Sequence, residues 1–284
     1  MRQTSSILYI SVDSLIPPRG KSVSGLDEFT AALDHAGIPA VWLTSRSRLQ
    51  FDDPRRQLGH RHPFITEDGC CVCMPEGYFH LTPEPATPRS RSTTTVRLGR
   101  FTCIPVAKGL PTAAEALESL SEEMGVPVVT LRSLSPRELV QNSGLPLREA
   151  ELARQRDFDE LFFFAGASDE DIQRFQAEAS NRGLQLRQHG VLWSLAIGAS
   201  IQRCIRDLSK LYDRALRYHA HTVGVATQKE APGLFPHCER TILVADHKPE
   251  ETGEDHPLSS RARQFPLHGH DTWERLLETL FTKK

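Results

Sequence analysis

Three apolar runs in the first part of the chain each stop at a small polar cluster. Ile7-Leu8-Tyr9-Ile10 ends at Ser11-Val12-Asp13-Ser14, Ile38-Pro39-Ala40-Val41-Trp42-Leu43 ends at Thr44-Ser45-Arg46, and Pro63-Phe64-Ile65 ends at Glu67-Asp68-Gly69. Hydroxyls, backbone N–H groups and a guanidinium at strand ends can hold an anion. A backbone tip with Thr44 and Arg46 would bind sulfate or phosphate through charge-assisted hydrogen bonds. In an open α/β sheet, ligands sit outside the carboxyl ends of the strands, so Ser11, Asp13, Thr44, Ser45 and Arg46 are expected to line one crevice. An ordinary βαβ unit with solvated loops fits the same pattern.

Two other groups could do chemistry. Six cysteines are present, and three crowd into Cys70-Cys71-Val72-Cys73. On a strand Cys71 and Cys73 share one face and Cys70 takes the other. A zinc site would want a second pair at ligand spacing, and the sequence has none, so no metal site is assigned. Reduced, buried cysteines of a cytoplasmic protein are the better reading. The pairs His219-Ala220-His221 and His268-Gly269-His270 lack a third ligand nearby in sequence and read as surface features.

The elements that must position these groups come from a chain of 284 residues, long enough for two domains. An apolar content of 39% and a charged content of 25% describe a soluble globular protein. A net charge of −2 gives no electrostatic case for nucleic acid or for an anionic membrane. No apolar run approaches the roughly 20 residues that span a bilayer, and the first residues do not read as a signal peptide. Leu26, Phe29, Leu33 and Ala36 recur at helical spacing, so strand, helix and strand up to Leu43 make a right-handed βαβ unit. The Pro-, Ser-, Thr- and Arg-rich stretch 83–95 reads as a link to a second domain or as a mobile hairpin. Beyond it, Val96–Val106, Ala113–Met124, Val126–Leu131, Phe162–Phe164, Asp169–Asn181 and a hairpin of Leu184–Leu186 with Leu192–Ile197 make an inserted α+β unit. Helix 201–218, strands 222–226 and 241–245, and helix 271–281 then return to the core. The expected division is a core of residues 1–88 and 198–284 around a cap of residues 90–195.

These stretches resemble the haloacid-dehalogenase superfamily of phosphohydrolases, and within it the mannosyl-3-phosphoglycerate phosphatase family. Thr44 falls where that family ends a "G-I-P-V-V" run with Thr or Ser, followed by Ser and a basic residue, here Ser45-Arg46. Pro63-Phe64-Ile65-Thr66-Glu67-Asp68-Gly69 matches "P-F-I-x-E-N-G" with Asp68 for Asn, and Ala153 to Phe162 matches "A-x-Q-R-E-F-x-E-P-F". The resemblance implies a doubly wound parallel-sheet core, an α/β fold, with an inserted α+β cap. It also implies phosphate-ester chemistry by an aspartyl nucleophile, a second Asp as acid and base, a Lys, and Mg²⁺ on acidic oxygens. Gln155, Arg156 and Glu160 are the implied sugar or glycerate contacts of the cap, or else a structural junction.

Position by position, the catalytic set is depleted. The nucleophile position falls on Ser11, with Asp13 at the acid/base position. A shifted register makes Asp13 the nucleophile and puts Leu15 in the acid's place. The Lys position falls on Ile201, the metal-binding Asp positions on Ala226 and Glu230, and Lys229 lies between these two. His189-Gly190-Val191-Leu192 replaces "G-G-R-F" in the cap. The expectation is a catalytically inactive relative that binds a phosphosugar-type molecule or a protein partner and needs no cofactor. Two alternatives stand. One is an active Mg²⁺-dependent phosphatase with Asp13 catalytic and acidic groups drawn from Asp68, Glu230 or Asp246. The other is a different chemistry built on the Cys70 to Cys73 cluster.

Overall fold

The computed structural model describes residues 6–18, 21–80, 95–245, 262–267 and 271–281. Its core strands in chain order are β1 (Ser6–Ser11), β2 (Ala40–Leu43), β3 (Phe64–Thr66), β4 (Cys71–Pro75), β5 (Val96–Leu98) and β6 (Phe101–Pro105). A second group follows: β7 (Val128–Thr130), β8 (Glu160–Phe164), β9 (Leu184–His189) and β10 (Leu192–Ile197). The chain then returns through β11 (His221–Ala226), β12 (Arg240–Ala245) and β13 (Arg263–Pro266). Among the described residues the large sheet has the order β13-β12-β11-β1-β2-β3-β4-β6-β5, and the small sheet β7-β8-β10-β9.

The large sheet is parallel from β13 to β3 and antiparallel beyond. Leu8 pairs with Val223 and Ile10 with Val225, so the first strand and the return strand are neighbours, as expected. A parallel strand covered on both faces must be apolar throughout, and Ile7, Leu8, Tyr9 and Ile10 are all at most 1% exposed. Ser11 pairs with Leu43, so β1 and β2 end level. Asp13 and Thr44 therefore leave the sheet on the same side.

The expected cap boundary needs correction. The sequence puts Val96–Val106 in the insert, but β5 and β6 form a hairpin on the edge of the core sheet, with Cys103 opposite Cys73. The residues of this segment are those of a strand; which edge receives it depends on β4, which is remote in sequence. The chain crosses into the cap after Pro105 and comes back after Ile197. Lys108 N–H donates to the Ile197 carbonyl (2.9 Å), so the two crossings run side by side. In the cap, helices Leu110–Met124 and Asp169–Asn181 pack on the small sheet through Leu117, Leu120, Phe162 and Phe175. A short helix, Leu147–Ala153, ends before Arg156. Residues 83–94 of the expected link, Asp246 and the pair His268/His270 lie outside the described residues. Among the described residues no helix is long and apolar enough to cross a membrane.

Trp42 is fully buried in this core and stacks on His60 at 4.1 Å between ring centroids. His60 donates from Nε2 to the Ala40 carbonyl (2.6 Å), and burial pushes its pKa well below the ordinary value. The folded state therefore keeps His60 neutral while the unfolded chain takes up a proton below about pH 6.5. Stability is fully present above that pH. It should fall by about 1.4 kcal/mol per pH unit for this one group below it, until the depressed folded pKa is reached. Urea unfolding at a series of pH values, compared with His60→Leu, checks this: the variant should lose that part of the acid slope.

Candidate functional site

The ends of β1 and β2 meet at Asp13, and the β3 tip joins the β2 tip where Asp68 N–H donates to the Thr44 carbonyl (3.3 Å). Thr44 donates its Oγ1 hydrogen to Asp13 Oδ1, Ser45 N–H donates to Oδ2 (2.7 Å), and Arg46 Nε lies 3.5 Å from Oδ1. Thr44 Oγ1 also accepts from Arg46 N–H (3.2 Å). Arg46 is only 5% exposed; it donates to the Ile16 carbonyl and lies over the Phe51 ring. Its guanidinium is thus committed to holding the β1 loop and Asp13, and it does not face the cleft.

A cleft of about 470 Å³ opens above these tips. From the core it is lined by Ser11, Asp13, Thr44, Ser45, Asp68 and Lys229, among others, and from the cap by Arg187, Gln188 and His189. The far wall carries Glu230, which accepts from Ser14 N–H and Oγ (both 2.9 Å) and from Thr227 Oγ1 (2.9 Å). His189 reaches across from β9 to Asp68 (3.0 Å) and closes one side. Burial alone would raise the Asp68 carboxyl, but His189, Arg187 and Arg156 together hold it below the ordinary range.

The three cap residues expected as ligand contacts do not line this cleft. Gln155 is exposed and donates to the Glu151 carbonyl (3.1 Å). Glu160 is 1% exposed and pairs with Arg132 (2.5 Å); burial raises its carboxyl, and Arg132 opposes that. Arg156 makes a bidentate pair with Asp159 (2.5 and 2.6 Å), donates to the Ser45 carbonyl (2.8 Å), and lies 4.0 Å from Glu67. Glu67 in turn accepts from the backbone N–H groups of Asp157 (3.1 Å), Phe158 (2.9 Å) and Asp159 (3.0 Å). Burial, then the neighbouring Asp159 charge, push the Glu67 carboxyl up to about 8 against the pull of Arg156. This segment is a clamp between the β3 tip and the cap, which is the structural junction reading.

The residues that do face the core from the cap are Arg187, which the sequence does not single out, and His189, which it marks only as the start of the altered cap motif. Their i, i+2 spacing on β9 puts them on one face, but nothing local says that this face meets the β3 tip. The donor set does not suit Mg²⁺, which demands near-octahedral oxygen ligands. Ser11 stands at the position implied for the nucleophile, Ala226 offers no oxygen from its side chain, both Glu230 oxygens are taken by protein donors, and Lys229 adds an ammonium.

The cysteines differ from the expectation in one respect. Cys103 joins Cys71 and Cys73, with Cys73 and Cys103 sulfurs 3.5 Å apart. All three are buried in the core away from the cleft, and burial pushes the Cys71 and Cys73 thiols well above their ordinary range. Nothing in this placement serves a reaction in the cleft.

No protein-family model matches the chain. Over 209 residues it is 23% identical to a glucosyl-3-phosphoglycerate/mannosyl-3-phosphoglycerate phosphatase of Persephonella marina, covering 73% of this chain and 72% of that protein. A protein of the same name from Methanococcoides burtonii is 23% identical over 176 residues, 62% of this chain and 61% of the relative. Among solved structures, a protein of Thermoplasma acidophilum aligns with a TM-score of 0.61 at 13% identity, covering 97% of both chains. A HAD-superfamily phosphatase study protein from Bacteroides thetaiotaomicron aligns at 0.62 and 14%, over 98% of this chain and 96% of that one. A haloacid-dehalogenase-like hydrolase from B. subtilis aligns at 0.61 and 12%, over 96% and 99%. The fold is that of the haloacid-dehalogenase hydrolases, and the resemblance to them seen in the motifs is supported.

Proposed function

We propose that this chain is a catalytically silent relative of the sugar-phosphoglycerate phosphatases that binds a phosphorylated small molecule of phosphosugar type in its cleft. A protein partner is the other ligand this reading allows. The observation that carries it is the commitment of the carboxylates around Ser11. Asp13 is engaged by Thr44, Ser45 and Arg46, and Glu230 by Ser14 and Thr227, so among the described residues these acidic oxygens are not free to hold a metal or activate a nucleophile. A serine hydroxyl without a bonded base is a poor nucleophile, and phosphate monoesters are among the slowest substrates to hydrolyse unaided. Recognition of an anion has support of its own. Lys229 and Arg187 bring two cations to the lining, in the region where a metal phosphatase would supply Mg²⁺ charge. The site residues proposed for ligand are the Ser11 and Ser45 hydroxyls with Lys229 and Arg187, while Asp13 and Thr44, bonded to each other, shape the floor of the cleft. The six free cysteines fit a reducing, cytoplasmic setting.

A thermal-shift panel tests the binding half. Mannosyl- or glucosyl-3-phosphoglycerate and simple sugar phosphates should raise the melting temperature equally with Mg²⁺ and with chelator. Saturation at 100 times Kd corresponds to about 2.7 kcal/mol. Lys229→Met should weaken the shift. No response to any phosphate ester, or a response only with Mg²⁺, would contradict the reading.

A further inference from the structure

We infer that His219, His221 and Glu239 form a surface site for one divalent late transition-metal ion, of which Zn²⁺ is the type. The site lies at the end of the sheet opposite the cleft: His221 opens β11, whose other end, Ala226, leads into the cleft wall, and Glu239 immediately precedes β12. The His219 and His221 rings come together, with 5.6 Å between their centroids. The register that pairs Val223 with Arg240 carries Glu239 to them from a neighbouring strand. Its two oxygens divide between the rings. Oε1 lies 3.3 Å from His219 Nε2, and Oε2 lies 2.5 Å from His221 Nδ1. One donor atom from each residue lies within 4.8 Å of the other two. A tetrahedral ion with bonds of about 2.0–2.1 Å wants its ligand atoms about 3.4 Å apart. Small side-chain rotations reach that spacing, and side chains with 42–63% exposure can make them.

The surroundings are those a metal ligand needs. His219 Nδ1 lies 3.1 Å from Asp213 Oδ2; with the Nδ1 proton on that carboxylate, Nε2 on the Glu239 side is the nitrogen that would bind the ion. A carboxylate behind a ligating imidazole is the usual outer support of such sites. Asp213 is itself held, accepting from Ala220 N–H at Oδ1 (3.0 Å). Glu239 is positioned by its backbone, which donates to Thr222 Oγ1 (3.0 Å), and by Thr222 N–H, which donates to Oε1 (3.3 Å). Two imidazoles and one carboxylate suit Zn²⁺, Ni²⁺ or Cu²⁺ far better than Mg²⁺ or Ca²⁺. An ion here would join the starts of β11 and β12, with the end of helix Ile201–Leu216 buttressing it through Asp213, and would leave a fourth position for water.

The test uses the full chain, stripped of metal by chelator and dialysed. Titration with ZnCl₂ should show one ion bound and a rise in melting temperature. His221→Ala and Glu239→Ala, both at exposed positions, should each weaken binding at least about 10-fold. Asp213→Asn, acting as a positioning change, should weaken it by about 10- to 100-fold without altering the stoichiometry. Co²⁺ in place of Zn²⁺ should give a ligand-field spectrum without a thiolate-to-metal charge-transfer band. Absence of zinc binding would overturn the inference. So would binding unchanged in the His219→Ala/His221→Ala double variant, and a thiolate band would assign the ion to Cys71, Cys73 and Cys103.

Discussion

Arg156→Ala is expected to destabilise the protein by about 3–5 kcal/mol, the usual cost of leaving a buried ionic partner alone. The Arg156 side chain is 3% exposed, and those of Asp159 and Glu67 are 1% and 0% exposed. Removing the guanidinium strands the buried Asp159 carboxylate beside the Glu67 carboxyl and frees the Ser45 carbonyl, which it also holds. Glu67 would still accept the three N–H groups of residues 157–159, so the cap should loosen rather than detach. Urea unfolding gives the number, and Gln155→Ala is the control. That neighbour is exposed, bonds only the Glu151 carbonyl, and should cost under about 0.5 kcal/mol. The same pair of variants decides between clamp and ligand contact. An Arg156→Ala protein of nearly normal stability that failed to bind phosphosugars would restore Arg156 to the ligand set.

Gly69→Ala should cost about 2–6 kcal/mol, combining about 1–3 for a side chain held at positive φ with about 1–3 for overpacking. Gly69 has φ +92, and a Cβ there would come within 2.6 Å of the Ile201 nitrogen and 2.9 Å of the Ser200 carbonyl carbon. Both atoms are backbone at the start of a helix and cannot swing aside. The Gly69 carbonyl also accepts from Ser200 N–H (3.0 Å), so the third tip is pinned to that helix at this point. Gly59→Ala separates the two effects: φ is +67 but nothing lies within 4 Å, so only the conformational part, about 1 kcal/mol, should appear. Equal losses in the two variants would mean that the turn does not press on the helix.

What could be read from the sequence was local. Thr44, Ser45 and Asp13 meet because three apolar runs end in polar clusters, and parallel strands of matched length bring such ends level. The pairing of β1 with β11 followed from the return of an apolar strand after the insert. What could not be read was the identity of remote partners. Arg156 matches a motif of the cap, yet its charge is spent on Asp159 and on the β3 tip. Arg187 and His189 look like hairpin residues until β9 is placed over Asp68. Cys103 and Glu239 complete clusters begun 30 and 18 residues away, through antiparallel and parallel pairings that the i, i+2 pattern leaves open. The edge that receives β5 and β6 was hidden for the same reason: alternation marks a strand and the face it buries, not its neighbour.

The central claim is that the cleft binds phosphate esters without cleaving them, and turnover tests it most directly. Purified wild type with Mg²⁺ and a generic aryl phosphate should release no more phosphate than Asp13→Ala under the same conditions. Restoring one group, as in Ser11→Asp, should not change that, because Ile201, Ala226 and Lys229 still leave the lysine and metal positions unfilled. Clear Mg²⁺-dependent turnover by wild type that disappears in Asp13→Ala would contradict the account and make Asp13 the nucleophile or general acid of a working phosphatase.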